Sequence, residues 1–243
     1  MNTLVQHWNK APLDVAPFLH PDDQIILKRA SPVTSYAGFT DELASGAVKP
    51  KTFHLSLMPV PYFGDLDNAG VIILLLNPGL HASDYMLEER FPEFRDELRS
   101  VIRQESRGNP FLDPRWAWTS GFTWWEGKLG EVARVIASKR FNGHYGEALR
   151  SLSGHVAVIE MVPYHSKSFG GPVDIPSARA ALAFVKEVVE EGRRTVIVTR
   201  QVRKWGFAPS DKVINYSAGQ ARGASLSPRS PGGRAILSTY GLG

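Results

Sequence analysis

The chain has 243 residues, 43% apolar and 21% charged, with a formal net charge of 28 − 24 = +4. These are globular values, and they exclude a disordered or fibrous chain. Cysteine is absent, which removes disulfides, cysteine-ligated zinc, iron–sulfur clusters and a thiol nucleophile together. The opening MNTLVQHWNKAPLD has no basic segment followed by an apolar one, and the longest aliphatic run, Val71 to Leu76, falls far below the ~20 residues of a spanning helix. The expectation is a soluble, cytoplasmic monomer with no membrane partner and no cofactor.

Charge is unevenly spread. Between Arg193 and Arg234 stand nine Lys/Arg against one acid, Asp211, whereas Asp84 to Glu105 holds seven acids and four arginines. The first pattern suits a surface that faces a polyanion, the second a solvated helix. No repeat, low-complexity tract or Pro/Gly-rich linker divides the chain. It reads as one domain over 1–243, with a poorly patterned N-terminal extension over 1–60.

In chain order, Pro21 to Ala30 predicts a short helix opened by Pro and Asp residues, and Thr52 to Met58 a strand. VIILLL (71–76) is a continuous aliphatic run bounded by Gly70 and Pro78, the pattern of a strand buried on both faces of a parallel sheet. Asp84 to Arg107 places Met86, Leu87, Phe91, Phe94, Leu98, Val101 and Ile102 for one helical face, with Pro92 breaking the helix. Helices follow at Gly127–Ser138 and Gly143–Leu152. HVAVIEMVP (155–163) is a second buried strand, Ile175–Glu191 a helix, TVIVT (195–199) a third strand, Val202–Gly206 a helical stub and KVINYS (212–217) a fourth strand. Alternating strands and helices mean an α/β fold with a parallel sheet, and ligands in such folds sit beyond the C-terminal strand ends.

Polar groups stand at those ends. Asn77-Pro78-Gly79-Leu80-His81 follows the first buried strand, and proline holds Asn77 extended. Glu160 closes the second strand, an unexpected carboxylate after an apolar run. His165 lies in the loop after it, a candidate acid/base or anion binder. Ser225-Leu226-Ser227-Pro228-Arg229-Ser230-Pro231 is a rigid cationic loop suited to phosphates. The histidines show no metal-binding spacing, so no metal site is expected. Trp116, Trp118, Trp124 and Trp125 cluster within ten residues ahead of the helix at 127–138; such rings can stack on bases or line a pocket, but most are expected to pack that helix against the sheet.

Together these loops resemble the uracil-DNA glycosylase superfamily. LLLNPGL (74–80) is similar to the first active-site motif of its mismatch-specific and single-strand-selective branches. SLSPRSP (225–231) resembles the last motif of the single-strand-selective branch, EMVP (160–163) falls at its strand-terminal Asn-Tyr-Cys-Pro, and TVIVTRQVRKWG (195–206) resembles the strand and helix before the last motif. The resemblance implies a three-layer α/β/α sandwich around a central, mainly parallel four-stranded sheet. It also implies a monofunctional DNA N-glycosylase that flips a base out of single- or double-stranded DNA and hydrolyses the N-glycosidic bond. By that carry-over Asn77 positions the water, Gly79 and Leu80 offer backbone groups to the base, and Phe91, or Tyr85 in reserve, stacks on it. Ser227, Pro228 and Arg229 contact DNA, with Arg203, Lys204 and Arg222 as further phosphate contacts. Two departures stand out. Ser225 replaces the histidine that stabilises the leaving base, with His165 a candidate substitute, and Glu160 replaces the base-reading asparagine. A carboxylate repels uracil O4 and suits a base offering two donors, so the expected substrate is a damaged or unusual base other than uracil. The alternatives are a non-catalytic nucleic-acid-binding module on the same fold, or a nucleoside or small-molecule hydrolase.

Overall fold

The computed structural model describes residues 2–26, 32–46, 48–171 and 174–242. In chain order the elements are α1 (Thr3–Trp8), α2 (Tyr36–Ala44), β1 (Tyr62–Phe63), β2 (Val71–Leu75), α3 (Ala82–Arg90), α4 (Pro92–Ile102), α5 (Ser120–Arg140), α6 (Tyr145–His155), β3 (Val156–Glu160), α7 (Pro176–Glu191), β4 (Thr195–Val198), α8 (Val202–Trp205), β5 (Val213–Asn215), α9 (Ala218–Gly223) and α10 (Pro231–Ser238). Short 3-10 turns occupy Pro21–Asp23, Pro110–Leu112 and Pro114–Trp116. No helix among the described residues is long and apolar enough to cross a membrane.

The fold is α/β, with one five-stranded sheet in the order β1-β3-β2-β4-β5. β2 pairs parallel with β4, Val71 opposite Thr195 and Leu74 opposite Val198, and β4 pairs parallel with β5, Val196 opposite Val213. Every residue of β2 and β3 is buried, which is why both are continuous aliphatic runs instead of alternating ones. The expected count of four strands is corrected to five. The added strand, Tyr62–Phe63, has two residues, both buried, too few to leave a period in the sequence. The expected strand at 52–58 is also corrected. Only His54 makes isolated bridges there, to Val33 and to His165. Pro59 and Pro61 follow directly and cannot donate to a ladder.

The helices obey their punctuation. Pro92 separates α3 from α4 as the first residue of the second helix, and Phe91 before it is extended at φ −127°, ψ 83°. α5 begins earlier than its apolar spacing indicates because Thr119 caps it, the hydroxyl accepting from Phe122 N–H at 3.2 Å. Of the helix expected at Pro21–Ala30, the start is a 3-10 turn, while residues 27–30 lie outside the described residues.

The chain divides into two compact units. The first comprises Met1–Tyr62, Leu76–Glu105 and Glu160–Phe184, the second Phe63–Leu75, Ser106–Ile159 and Val185–Gly243. The first unit is built around large buried rings, among them Trp8, Phe18, Phe53 and Tyr164, and the buried carboxylate of Asp23. Asp23 accepts from the Tyr164 hydroxyl at 2.6 Å and from Ser177 N–H at 3.0 Å, and that hydroxyl accepts in turn from His20 N–H at 3.1 Å. A buried acid is tolerable only when so satisfied.

The second unit holds β2, β4, β5 and the apolar face of α5, where Leu129, Val132, Ala133 and Ile136 are fully buried. Its tryptophans split. Trp116 and Trp125 are buried, Trp125 edge-on to Phe63 at 5.8 Å, whereas Trp118 and Trp124 are exposed. Near the C-terminus α10 lies tightly against the 225–230 loop. A methyl on Gly233 would overlap the Ser227 carbonyl, a backbone obstacle that cannot swing aside. Gly233→Ala is therefore expected to cost about 1–3 kcal/mol. Gly127→Ala, where a methyl meets nothing, should stabilise α5 by roughly 0.5–1 kcal/mol. Thermal unfolding of the two variants measures both, and equal melting temperatures would refute the close approach at Gly233.

Candidate functional site

The segments that follow β2 and β3 are tied together in the first unit. Val162 N–H donates to the Leu76 carbonyl at 2.8 Å and Ser166 N–H to the Pro78 carbonyl at 3.4 Å. Onto this frame the side chains add two further ties. Asn77 Nδ2 donates to the Pro78 carbonyl at 2.8 Å and to Ser166 Oγ at 3.0 Å. Both amide hydrogens are thus committed, the amide cannot flip, and Oδ1 remains as an oriented acceptor. His165 Nδ1 meets the Gly79 carbonyl at 2.8 Å. A carbonyl only accepts, so Nδ1 carries the proton, and Nε2 of the neutral ring is a bare lone pair. Nε2 is buried without a hydrogen-bond partner among the described residues. Burial holds the His165 pKa below the usual imidazole value, against the pull of Asp84 and of the backbone at Gly79 and Met58.

A buried polar chain adjoins this loop pair. His54 N–H donates to the His165 carbonyl at 3.0 Å. Its Nδ1 meets the Tyr85 hydroxyl at 2.9 Å, and that hydroxyl meets Ser56 Oγ at 2.6 Å. Desolvation, with His165 as a second cause, pushes the His54 pKa down to about 4, and its Nε2 is also without a partner among the described residues. Tyr85 stacks on Phe39 at 3.8 Å, and Leu80 packs against the cluster of Val33, Phe39, Leu57 and Tyr85. Glu88, one turn on from Tyr85 along α3, is buried and takes the Met58 N–H on both oxygens at 3.0 and 3.2 Å. Desolvation pushes its pKa up to about 8, against the Met58 hydrogen bond and the Arg95 guanidinium 3.7 Å away.

The residues expected at a site are distributed as follows. Asn77, Gly79, Leu80, Tyr85, Phe91, Glu160 and His165 all belong to the first unit. His165 reaches the Asn77 loop directly, through Gly79. Gly79 is exposed, and a methyl there would meet nothing, so the outer side of the loop is open. Tyr85 is buried with one ring face on Phe39, an arrangement of a core residue. Phe91 sits half-buried at the junction of α3 and α4. Glu160 is buried at the end of β3, its N–H on the Pro61 carbonyl at 3.0 Å.

Ser225, Ser227, Pro228, Arg229, Arg203, Lys204 and Arg222 belong to the second unit. Ser225 Oγ accepts from Ser227 N–H at 3.3 Å, and its carbonyl accepts from the Tyr216 hydroxyl at 2.6 Å. Arg203 and Lys204 project from α8, which Trp205 anchors through an indole N–H bond to the Leu75 carbonyl at 3.1 Å. Arg203, Lys204, Arg222 and Arg229 are all exposed.

One group among the described residues has the spacing of metal ligands: His7, His20 and Asp22. Its chemistry argues otherwise. His20 Nδ1 accepts from Asp22 N–H at 3.1 Å and Nε2 faces the His7 carbonyl at 2.9 Å, so both ring nitrogens serve backbone groups. The two imidazoles stack at 3.8 Å. The cluster is an N-cap device for the 3-10 turn at Pro21–Asp23. Sequence reasoning missed Ser166, His54 and Ser56. Nothing local marks them, because each acts on a partner far along the chain.

The class these observations define is an α/β protein with polar loops after two adjacent sheet strands. No protein-family model, curated protein or solved structure matches the chain.

Proposed function

We propose that the protein is a DNA N-glycosylase-like hydrolase on a three-layer, uracil-DNA-glycosylase-like fold, excising a damaged or unusual base. The observation that carries this reading is the clamped Asn77 amide, whose two N–H groups are spent on Pro78 and Ser166 and whose Oδ1 is left as the acceptor. N-glycosidic hydrolysis breaks the bond from C1′ to the base nitrogen. The sugar turns cationic, water adds to C1′, and the base departs as an anion that must gain a proton or be held by donors. An oriented carbonyl acceptor is what the water needs: it takes one water hydrogen and directs an oxygen lone pair at C1′.

The remaining roles follow the chemistry of each group. His165 positions the Asn77 loop through its Nδ1–H on the Gly79 carbonyl, its Nε2 being buried, and the proton that water loses ends on the departing base anion. The backbone N–H of Leu80 is the donor directed to the leaving base, that of His81 being spent on Asp84 at 2.7 Å. Glu160 accepts from a base carrying two donors and disfavours uracil. The exposed cations Arg203, Lys204, Arg222 and Arg229 serve phosphates. Ser225 has its hydroxyl engaged by Ser227 N–H within the second unit.

Labelled DNA carrying uracil, hypoxanthine, xanthine or an alkylated base, single- and double-stranded, followed by alkali, tests the reading. A strand break at one of these bases that is lost in Asn77→Ala supports it and names the base. Salt-sensitive binding without a break at any base would point to the non-catalytic module. Absence of both break and binding would remove the DNA reading.

A further inference from the structure

Trp124 and Lys128 are one turn apart on α5 and share a face. The Trp124 indole is 36% exposed and stands edge-on at 4.7 Å to the buried Trp125, which holds its orientation. The Lys128 ammonium lies over one face of the Trp124 ring, 5.3 Å from its centroid, and donates to the Gly223 carbonyl at the end of α9, next in sequence to Arg222. Arg200 is near enough to add to burial in lowering the Lys128 pKa. All of these residues lie in the second unit.

The cations here lack acids. Among the described residues, Lys128, Arg200 and Arg222 make no ion pair, whereas Arg107, Arg115, Arg134, Arg150, Arg193 and Arg194 in the same unit all sit on Asp or Glu. Like charges brought together without a counter-charge are costly, and an anion relieves that cost. We infer that this face is a single-strand nucleic-acid platform, an unpaired base stacking on the side of Trp124 that Lys128 does not cover while Lys128, Arg200 and Arg222 hold the adjoining phosphates. Stacking singles out a single strand, because the bases of a duplex are already stacked on one another. The inference rests on the nucleic-acid reading above but not on base excision.

Fluorescence anisotropy with three probes of equal length tests it: an oligo-dT, an abasic oligomer and a duplex. The wild-type chain should prefer dT to the abasic strand. Trp124→Leu should weaken dT binding by about 5- to 150-fold, the span typical of stacking aromatics, and leave abasic binding unchanged. Trp124→Phe, which keeps a ring against Trp125, should recover part of the loss. Lys128→Gln and Arg200→Gln should each lower the salt slope by about 0.7. If Trp124→Leu fails to fold, the wild-type preference for dT and the two slopes decide alone. Equal wild-type affinity for dT and abasic strands, or equal affinity for the duplex, would overturn the platform. The readout is separate from catalysis. A dT preference without base release keeps this surface and removes the glycosylase reading; base release without a dT preference does the reverse.

Discussion

Asn77→Ala is expected to lower base release at least about 100-fold, in line with removal of a single preorganised polar group from a hydrolytic site. DNA affinity should stay within about twofold, since phosphate contacts dominate affinity. The reason is local. The Asn77 amide is held by donation to Pro78 and Ser166 at 2.8 and 3.0 Å, so alanine removes the acceptor without unpacking the loop, whose backbone ties at Leu76 and Pro78 remain. Ser166→Ala keeps the acceptor but frees the amide to turn, and should cost roughly tenfold through positioning. Asn77→Asp keeps an acceptor but sets a carboxylate oxygen against the Pro78 carbonyl that now accepts from Nδ2, so it loses the orientation and should fall below Ser166→Ala. Single-turnover rates on the base identified by the strand-break assay measure all three. An alanine variant as fast as wild type would refute the role of Asn77.

Glu88→Gln should stabilise the protein above pH 8 by a few kcal/mol and remove the fall in stability that Glu88 causes between about pH 4.5 and 8. The folded pKa of Glu88 stands at about 8 against an ordinary value of 4.5. Between those values the native state holds a proton that the unfolded chain has lost, so stability falls as pH rises through that window and levels off above it. Across such a window, stability changes by about 1.4 kcal/mol for every pH step of one. The glutamine carbonyl can still accept from Met58 N–H. The lost pairing with Arg95, 3.7 Å away and partly exposed, costs little. Urea unfolding at acid, neutral and alkaline pH would show the two curves converging at low pH; curves that run parallel throughout would refute the buried-acid account. His54 works in the opposite direction. Its folded pKa of about 4 lies below the ordinary 6.5, so the unfolded chain binds the extra proton, and stability is lost as pH falls through that interval. His165, also shifted down, adds to the acid loss. The wild-type chain should therefore be most stable near pH 6.5 and weaken on both sides.

Both groups show where sequence reasoning stops. Glu88 reads as one acid among seven between Asp84 and Glu105, on a helix expected to be solvated. What buries it is the backbone of Met58, thirty positions earlier. His54 falls in a stretch that reads as a strand, yet Pro59 and Pro61 leave it as a coil whose N–H reaches His165.

The sequence by itself determined the parts whose cause is local. β2, β3 and β4 announce themselves as aliphatic runs because burial on both faces admits nothing else, and Pro92 ends a helix wherever the chain goes next. The Asn77 loop could be located from its proline and from its place after a buried strand. Only the tertiary structure decided which way Asn77 and His165 present their acceptors, that Asp23 holds Tyr164 beside His165, and that Trp124 stays exposed while Trp125 is buried. Each of those outcomes depends on a hydrogen bond or ring contact between side chains whose polar atoms must find partners once water is excluded. Such partners come from whatever backbone packing brings near, at separations such as 89 residues for Asn77 and Ser166 or 141 for Tyr164 and Asp23, and no periodic pattern in the chain records them.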